Sequence, residues 1–503
     1  MNILRLTAAA LLLAGTMAAG AETVTVTKSG TLSDAVTDVT ATELIISGPV
    51  DAADLFWAAD NMKSLKTLNL ANATIEAYDG EMLKGRVTYA AGAVPEMSFA
   101  GTSLTSVVFP ATGNVTIGEG AFAGTPLTTL SLPAGITAIG DGAFAACKSL
   151  TDITLPATVK IGSHPFAGCT GLKTVTLDGT TTIVAEGQFK DCTSLTKVNG
   201  TDRLVTIGAE AFSGCTSLKD FTFGQNLKEI GSRAFIASGL TTADLAPARE
   251  LDRVGDWAFA HCEDLKTVLF NNQAEVTVGK GVFFDCFDLD EIKLPGELRT
   301  LSAYMFKGDS KATGHDSLPG IDSIGAYALK DNAALQTLTL PAGLAYIGDG
   351  AMENATGLYE IDVTQLNEVP MLGKDVWSGV SQADVVLKVD SEAAAEAFND
   401  AAQWKEFKID VKSGVDDIIA DNPAEDGKAA IRGRFVGNDL VLQALGSSFR
   451  NIRVYDVAGR LVAALDTDLS EVSLDTSGAD TDIFIVAAVL ADNTTGTLKI
   501  IRR

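Results

Sequence analysis

The chain has 503 residues, more than one compact core organises, so several domains or an elongated array is expected. Hydrophobic residues make up 46% and aromatics only 7%, which places the core on Leu, Ile, Val and Ala, while 48 Gly point to many tight turns rather than long helices. A formal net charge of −26, from 64 acidic against 38 basic side chains, excludes a general affinity for nucleic acid.

In chain order, residues 1–21 read as a secretory signal. Arg5 supplies the positive charge, Leu11, Leu12 and Leu13 with their Ala neighbours a short apolar run, and Ala19-Gly20-Ala21 the small residues before cleavage. That run is too short to span a bilayer, and no later segment offers 18 clean apolar residues, so no transmembrane segment is expected after cleavage. Losing Arg5 leaves 37 basic against 64 acidic residues, a net charge of −27 that keeps a long exposed array soluble. Residues 22–91 read as an N-terminal cap, with strands expected at 23–26, 43–46 and 65–70.

From residue 92 to 370 one unit recurs: I-G-x-x-A-F-x-x-C-x-x-L-x-x-[IV]-x-L-P. Its anchors are Phe99, Phe122, Phe144, Phe166, Phe189, Phe212, Phe235, Phe259, Phe283 and Phe306, continued by Leu329 and Met352, spaced 22 to 24 residues apart. In residues 150–156, Leu150, Ile153 and Leu155 alternate inward along a strand that Pro156 ends, since Pro lacks the N–H of a ladder. Ile161-Gly162 opens a second short contact and a turn, and Phe166 fills the coil interior. A single coil cannot bury both its faces, whereas stacked coils can. The pattern therefore predicts a leucine-rich-repeat solenoid, β-rich, with short parallel strands, turns and short helices. At ~4.8 Å per coil, twelve coils span roughly 58 Å.

All six cysteines, Cys147, Cys169, Cys192, Cys215, Cys262 and Cys286, stand three residues after an anchor. Equivalent residues of stacked coils project in parallel, whereas a disulfide needs converging Cβ vectors, so a ladder of buried free thiols is expected. Thr102, Thr125, Ser238, Asn332 and Ala355 fill the same turn elsewhere. His164, His261 and His315 fall in separate coils at different phases, and no His-x-x-x-His or Cys-x-x-Cys spacing occurs, so no metal, cofactor or catalytic residue is assigned.

Two surfaces are candidates for recognition. The first is the outward strand face, including Thr128, Thr129, Thr151, Asp152, Thr154, Lys173, Thr174, Thr176, Lys219, Asp220 and, as its main aromatic, Tyr359. Thr there is also simply a good strand former. The second is the irregular coil after Phe306, where a polar run containing Asp309, Lys311, His315 and Asp316 is expected to loop out of the stack, either as a recognition loop or as a decayed repeat.

Residues 371–412 read as a C-terminal cap, with Ser391 as N-cap of a helix that begins at Glu392. Residues 413–430, broken by Asn422-Pro423 and Gly427, read as a linker. Residues 431–503 alternate as short strands and predict a small C-terminal β-sandwich.

The unit from Ile139 to Pro156 resembles the BspA-like leucine-rich-repeat family, over roughly residues 92–370. The C-terminal piece, in Val454-Tyr455-Asp456-Val457-Ala458-Gly459-Arg460-Leu461-Val462 and Leu498-Lys499-Ile500-Ile501-Arg502-Arg503, resembles the type A sorting domain of the type IX secretion system. It departs from that family at Asp482-Ile483-Phe484-Ile485, where Gly-Val-Tyr is usual. The resemblances imply a secreted or outer-surface protein of a Gram-negative bacterium. They imply adhesion to an extracellular protein or glycoprotein, a C-terminal domain read by secretion machinery, and no enzymatic activity. A structural spacer of the envelope with no specific ligand is the competing expectation.

Overall fold

A computed structural model describes residues 20–82, 85–156, 159–271, 275–309, 318, 320–411, 431–436, 439–444, 447–479, 481 and 483–501. The chain forms two compact units: Met1–Gln336 with Gly343–Leu358 and Pro370–Val380, and Thr337–Ala342 with Tyr359–Val369 and Ser381–Arg503.

In the first unit the coils of the repeat share three sides along which neighbouring coils hydrogen-bond. The L-x-x-I-x-L segment forms a first parallel ladder, as in Asp152–Leu155, Thr174–Leu177 and Lys197–Asn199, with alternate residues buried in the first two. The I-G segment forms a second, for example Thr206–Ile207, Glu229–Ile230 and Arg253–Val254. The anchor turn forms the third side. There the N–H groups of Gly142, Phe144 and Ala146 donate to the carbonyls of Ser163, Pro165 and Ala167 of the next coil at 2.7–2.9 Å. That turn places the residues two before and two after each anchor at positive φ, as in Gly142 (+58°) and Ala146 (+55°).

The anchors stack inside. From Phe99 to Phe306 consecutive rings lie 5.3–5.9 Å apart, centroid to centroid. Leu329 and Met352 continue the column fully buried, and Trp377, buried behind Gly373 in the same phase, extends it one coil beyond residue 370. All six cysteines are free and buried, as the parallel-projection argument requires. Cys169, Cys192, Cys215 and Cys286 donate to the carbonyl of the anchor one coil earlier than their own, Phe144, Phe166, Phe189 and Phe259, at 3.2–3.3 Å.

The N-terminal strands are Ala21–Thr25, Glu43–Val50 and Thr67–Ile75, continued in one parallel sheet by Ser106–Val108. Ala21, read from sequence as the last residue of the leader, is the first residue of that sheet. Residues 1–19 of the expected signal lie outside the described residues. Three features of this cap were not expected: a short helix, Leu32–Ala35, a longer helix, Ala52–Asn61, and an antiparallel hairpin, Tyr78–Met82 with Gly85–Tyr89. The longer helix opens on a capping box in which Asp51 accepts from Ala53 and Asp54, while Asp54 accepts from Asp51. Buried Asp54 also accepts from Gly30 and Leu32 at 2.7 and 2.8 Å, tying the first loop to the helix.

In the second unit, Thr337–Thr339, Glu360–Asp362, Val386–Val389 and Lys408–Val411 form a parallel sheet. The expected helix, Glu392–Asp400, is present, and Ser391 Oγ accepts from Ala394 at its N-terminus. Trp404 is buried against Phe398 and Phe407. The expected linker, 413–430, lies outside the described residues. Beyond it, two antiparallel sheets, Ile431–Val436 with Asp439–Ala444 and Glu471–Asp475, and Leu461–Leu465 with Phe449–Asp456, Ile483–Leu490 and Thr495–Ile501, enclose one apolar core. Phe435 and Phe484 meet across it at 5.3 Å. This is the β-sandwich that the alternating pattern predicts.

Candidate functional site

The outward strand face is real over three coils and interrupted on either side. Register places Asp152, Thr174 and Lys197 in one row and Thr154, Thr176 and Asn199 in the next, with Asn199 Nδ2 donating to Thr176 Oγ1 at 3.2 Å. Thr151 lies just before the first strand and Lys173 before the second, where Lys173 N donates to Thr151 O at 2.7 Å. Thr128 and Thr129 are exposed but belong to a segment outside any strand, and so do Lys219 and Asp220. The ladder thus breaks at both positions, and a shallow cleft opens at each edge. One of about 550 Å³ lies between Thr128–Leu132 and Thr151–Pro156. The other, about 580 Å³, is lined by Thr196–Asp202, Asp220 and Thr222.

At the second break Phe221 and Phe223 occupy the two inward positions, and their rings pack edge-on against Phe212, Phe235 and Phe259. Lys219 is not a free cation on this face, because its Nζ pairs with Asp264. Tyr359, in the second unit, is half exposed beside Glu360, which pairs with Lys388 at 2.8 Å.

The protruding-loop expectation needs one correction. Asp309 is fully buried: it occupies the turn position that holds cysteine in six other coils, three residues after Phe306, and its N–H donates to Phe306 O at 3.2 Å. Its phase in the repeat outweighs its polarity. Lys311, His315 and Asp316 lie outside the described residues.

A feature that the composition concealed lies on the anchor-turn edge. Trp257, Tyr304 and Tyr327 each stand two residues before an anchor, at φ of +60°, +61° and +57°. Gly281 fills that position in the intervening coil, and a Cβ there would come within 2.2 Å of the Trp257 ring, which lies over it. Trp257 thereby reaches Tyr304 at 6.0 Å, and Tyr304 stacks on Tyr327 at 5.3 Å. Phe284 meets the edge of Trp257 at 5.3 Å, and His261 meets Phe284 at 5.2 Å. Lys307 sits over Phe284 and Lys330 over Tyr327, 4.8 and 5.5 Å from the ring centroids. The result is a half-exposed aromatic ledge with a rim of charge, in which His261 faces Asp285 at 3.6 Å and Lys330 pairs with Glu353 at 2.7 Å.

Among the described residues no group of three His, Cys, Asp or Glu is placed to hold a metal ion, and no helix is long and apolar enough to cross a membrane.

Stacked coils with an aromatic column, two main ladders and a terminal β-sandwich define a leucine-rich-repeat solenoid protein. The BspA type leucine rich repeat region matches in six copies over residues 92–205, 182–313 and 276–401, more than half the chain, and the chain belongs to this family. A leucine-rich repeat protein from Bacteroides ovatus, 18% identical, aligns over 73% of this chain and 84% of its own with a TM-score of 0.52, and shares the fold. A leucine-rich repeat protein from Eubacterium ventriosum, also 18% identical, aligns over 66% of this chain and 85% of its own with a TM-score of 0.36. No curated protein matches the sequence.

Proposed function

We propose that this chain is a secreted or outer-surface protein that binds an extracellular protein or glycoprotein through its solenoid. The C-terminal sandwich, on its resemblance to a type A sorting domain, would then address the chain to the type IX secretion machinery of a Gram-negative envelope. The observation that carries the binding role is the aromatic ledge. A bulky aromatic residue in the left-handed region is strained, by about 1–3 kcal/mol, where glycine is not. Gly120, Gly142, Gly187, Gly281 and Gly350 occupy this position in five other coils, and Met97, His164, Glu210, Arg233 and Asp375 in five more. Three strained rings that stay partly exposed are ill explained by core packing, and Trp and Tyr are the residues in which binding energy concentrates. The Thr-rich strand face, flanked by two clefts, offers a broader and weaker contact on another side of the same coils.

Surface plasmon resonance of the full chain against matrix glycoproteins and mucins, at two salt concentrations, tests this reading. Trp257→Ala and Tyr304→Gly should each weaken a saturable signal by about tenfold. Tyr304→Gly should do so without lowering the melting temperature, because glycine is native to that turn. A loss confined to Lys173→Glu and Lys219→Glu would move recognition to the strand face. Absence of any saturable signal would favour the spacer role, to which the continuous phenyl column is equally suited.

A further inference from the structure

The second ladder is built from three sheets, and one residue position separates them. Ten coils carry Gly after the Ile, Val or Leu of the I-G segment: Gly118, Gly140, Gly162, Gly208, Gly231, Gly255, Gly279, Gly325, Gly348 and Gly373. None of these needs positive φ. Each is glycine because its missing Cβ would lie 2.2–2.7 Å from an atom of the preceding coil. Every one of the ten coils pairs with the coil before it. The two later coils that carry a side chain there, with Ala185 and Ser302, are the two that do not: one sheet ends at Lys160–Ile161 and the next begins at Ile183–Val184, and another ends at Thr277–Val278 before Thr300–Leu301.

The displaced backbone bonds are replaced in both places. Elsewhere the glycine N–H donates to the preceding coil, as Gly208 does to Val184 O and Gly231 to Ile207 O, both at 2.8 Å. The N–H of Ala185 donates instead to Oε1 of buried Gln188 in its own coil, at 2.7 Å. Gln188 stands in the small-residue position of I-G-x-x-A-F. At the other break, the Ser302 hydroxyl donates to Val278 O at 2.6 Å, the carbonyl a glycine N–H would have used. At both breaks the first ladder runs on uninterrupted, from Asp152–Leu155 to Thr174–Leu177 and from Thr267–Phe270 to Glu291–Lys293. The phenyl column runs on as well, from Phe166 to Phe189 at 5.9 Å and from Phe283 to Phe306 at 5.5 Å.

We propose that Ala185 and Ser302 are built-in joints of the solenoid, at which neighbouring coils open along the second ladder while the first ladder and the phenyl column act as the hinge. Polar side chains satisfy one ladder group at each joint, so opening there breaks fewer interstrand bonds than at any glycine-bearing coil. The joints divide the array into blocks that flex against one another without unfolding.

Residue-resolved hydrogen exchange on the full chain tests this, comparing the wild type with Ala185→Gly/Gln188→Ala, which restores the repeat, and with Gly231→Ala, which copies a joint into an intact ladder. The Ile183 amide, equivalent to that of Glu229, should exchange roughly threefold to tenfold more slowly in the restored variant, the worth of about one ladder hydrogen bond. In Gly231→Ala, exchange at Glu229 should rise by a similar factor while the amides of Phe212 and Phe235 stay protected. Unchanged exchange at Ile183 in a folded restored variant would overturn the proposal. So would a Gly231→Ala protein whose second ladder keeps its protection, or one that loses protection on all three sides together.

Discussion

Phe144 and Phe166 lie face to face in neighbouring coils, ring centroids 5.4 Å apart and planes within 3° of parallel. Both are fully buried. Nearly parallel rings at this spacing are imposed by the backbone repeat, since each phenyl hangs from the same turn of successive coils. Phe166→Ala removes a ring contacted from both neighbours and should cost ~3–5 kcal/mol. Phe166→Leu should cost less, about 1–1.5 kcal/mol, because leucine keeps most of the buried volume, as the fully buried Leu329 does in the same column. Chemical denaturation of the full chain, followed by circular dichroism, checks both. Equal losses for Leu and Ala would show that the rings matter as aromatics and not as volume.

The repeat was legible because its period is rigid: a coil of 22 to 24 residues returns each anchor to one phase. The same phase argument identified the buried thiols. The polar run misplaced Asp309, whose neighbours suggested a loop although its distance from Phe306 marked the cysteine position. The helix Ala52–Asn61 had a signal in Asp51 and Asp54, three residues apart ahead of an Ala- and Leu-containing run. The aromatic ledge was hidden because Trp257, Tyr304 and Tyr327 are 23 or 47 residues apart and meet only once coils stack. Counting positions two before each anchor would have found it. The ladder breaks have a signal just as small, Ala or Ser in place of Gly, and its meaning depends on how closely one backbone approaches the next.

The thiol column should make the fold sensitive to alkali. Burial pushes Cys192 up to about 12 and Cys262 up to about 11, and raises Cys215 and Cys286 well above the ordinary thiol value. The hydrogen bond between Cys169 and Cys147 raises Cys169, which burial raises too, and lowers Cys147, whose opposite contribution leaves the other raised thiols to set the direction. An unfolded cysteine titrates near ~8.5. A group whose folded value is the higher one contributes stability that is complete below the unfolded value and is lost as pH rises above it. The denaturation midpoint should therefore fall between about pH 8.5 and 11. A Cys192→Ala/Cys262→Ala variant, less stable at pH 7 by its lost packing, should show a shallower fall. A thiol reagent should find no rapidly reacting cysteine in the native protein at pH 8 and six after denaturation. Rapid labelling of the native state would contradict the burial of this column.

In the sandwich, Asp456 organises the turn between two strands and should set the acid limit of that domain. It is 3% exposed, and its Oδ1 accepts from the N–H groups of Ala458 and Arg460 at 2.9 and 2.8 Å, while Oδ2 accepts from Arg460 Nε at 2.5 Å. The backbone bond from Arg460, followed by the Arg460 side-chain bond and its positive charge, holds the carboxyl below the ordinary carboxylate value. Here the folded value is the lower one. The stabilisation is present above the unfolded value near ~3.9 and is lost as pH falls through the folded value. Asp456→Asn keeps the acceptor oxygen but removes the charge on which Arg460 acts. Calorimetry of the full chain at pH 7 should show the sandwich transition lowered in the variant and the other transitions unmoved. At pH 2.5 the wild-type advantage should have vanished. A difference that persists undiminished at that pH would mean that Asp456 works through shape and hydrogen bonding alone, with its charge contributing nothing.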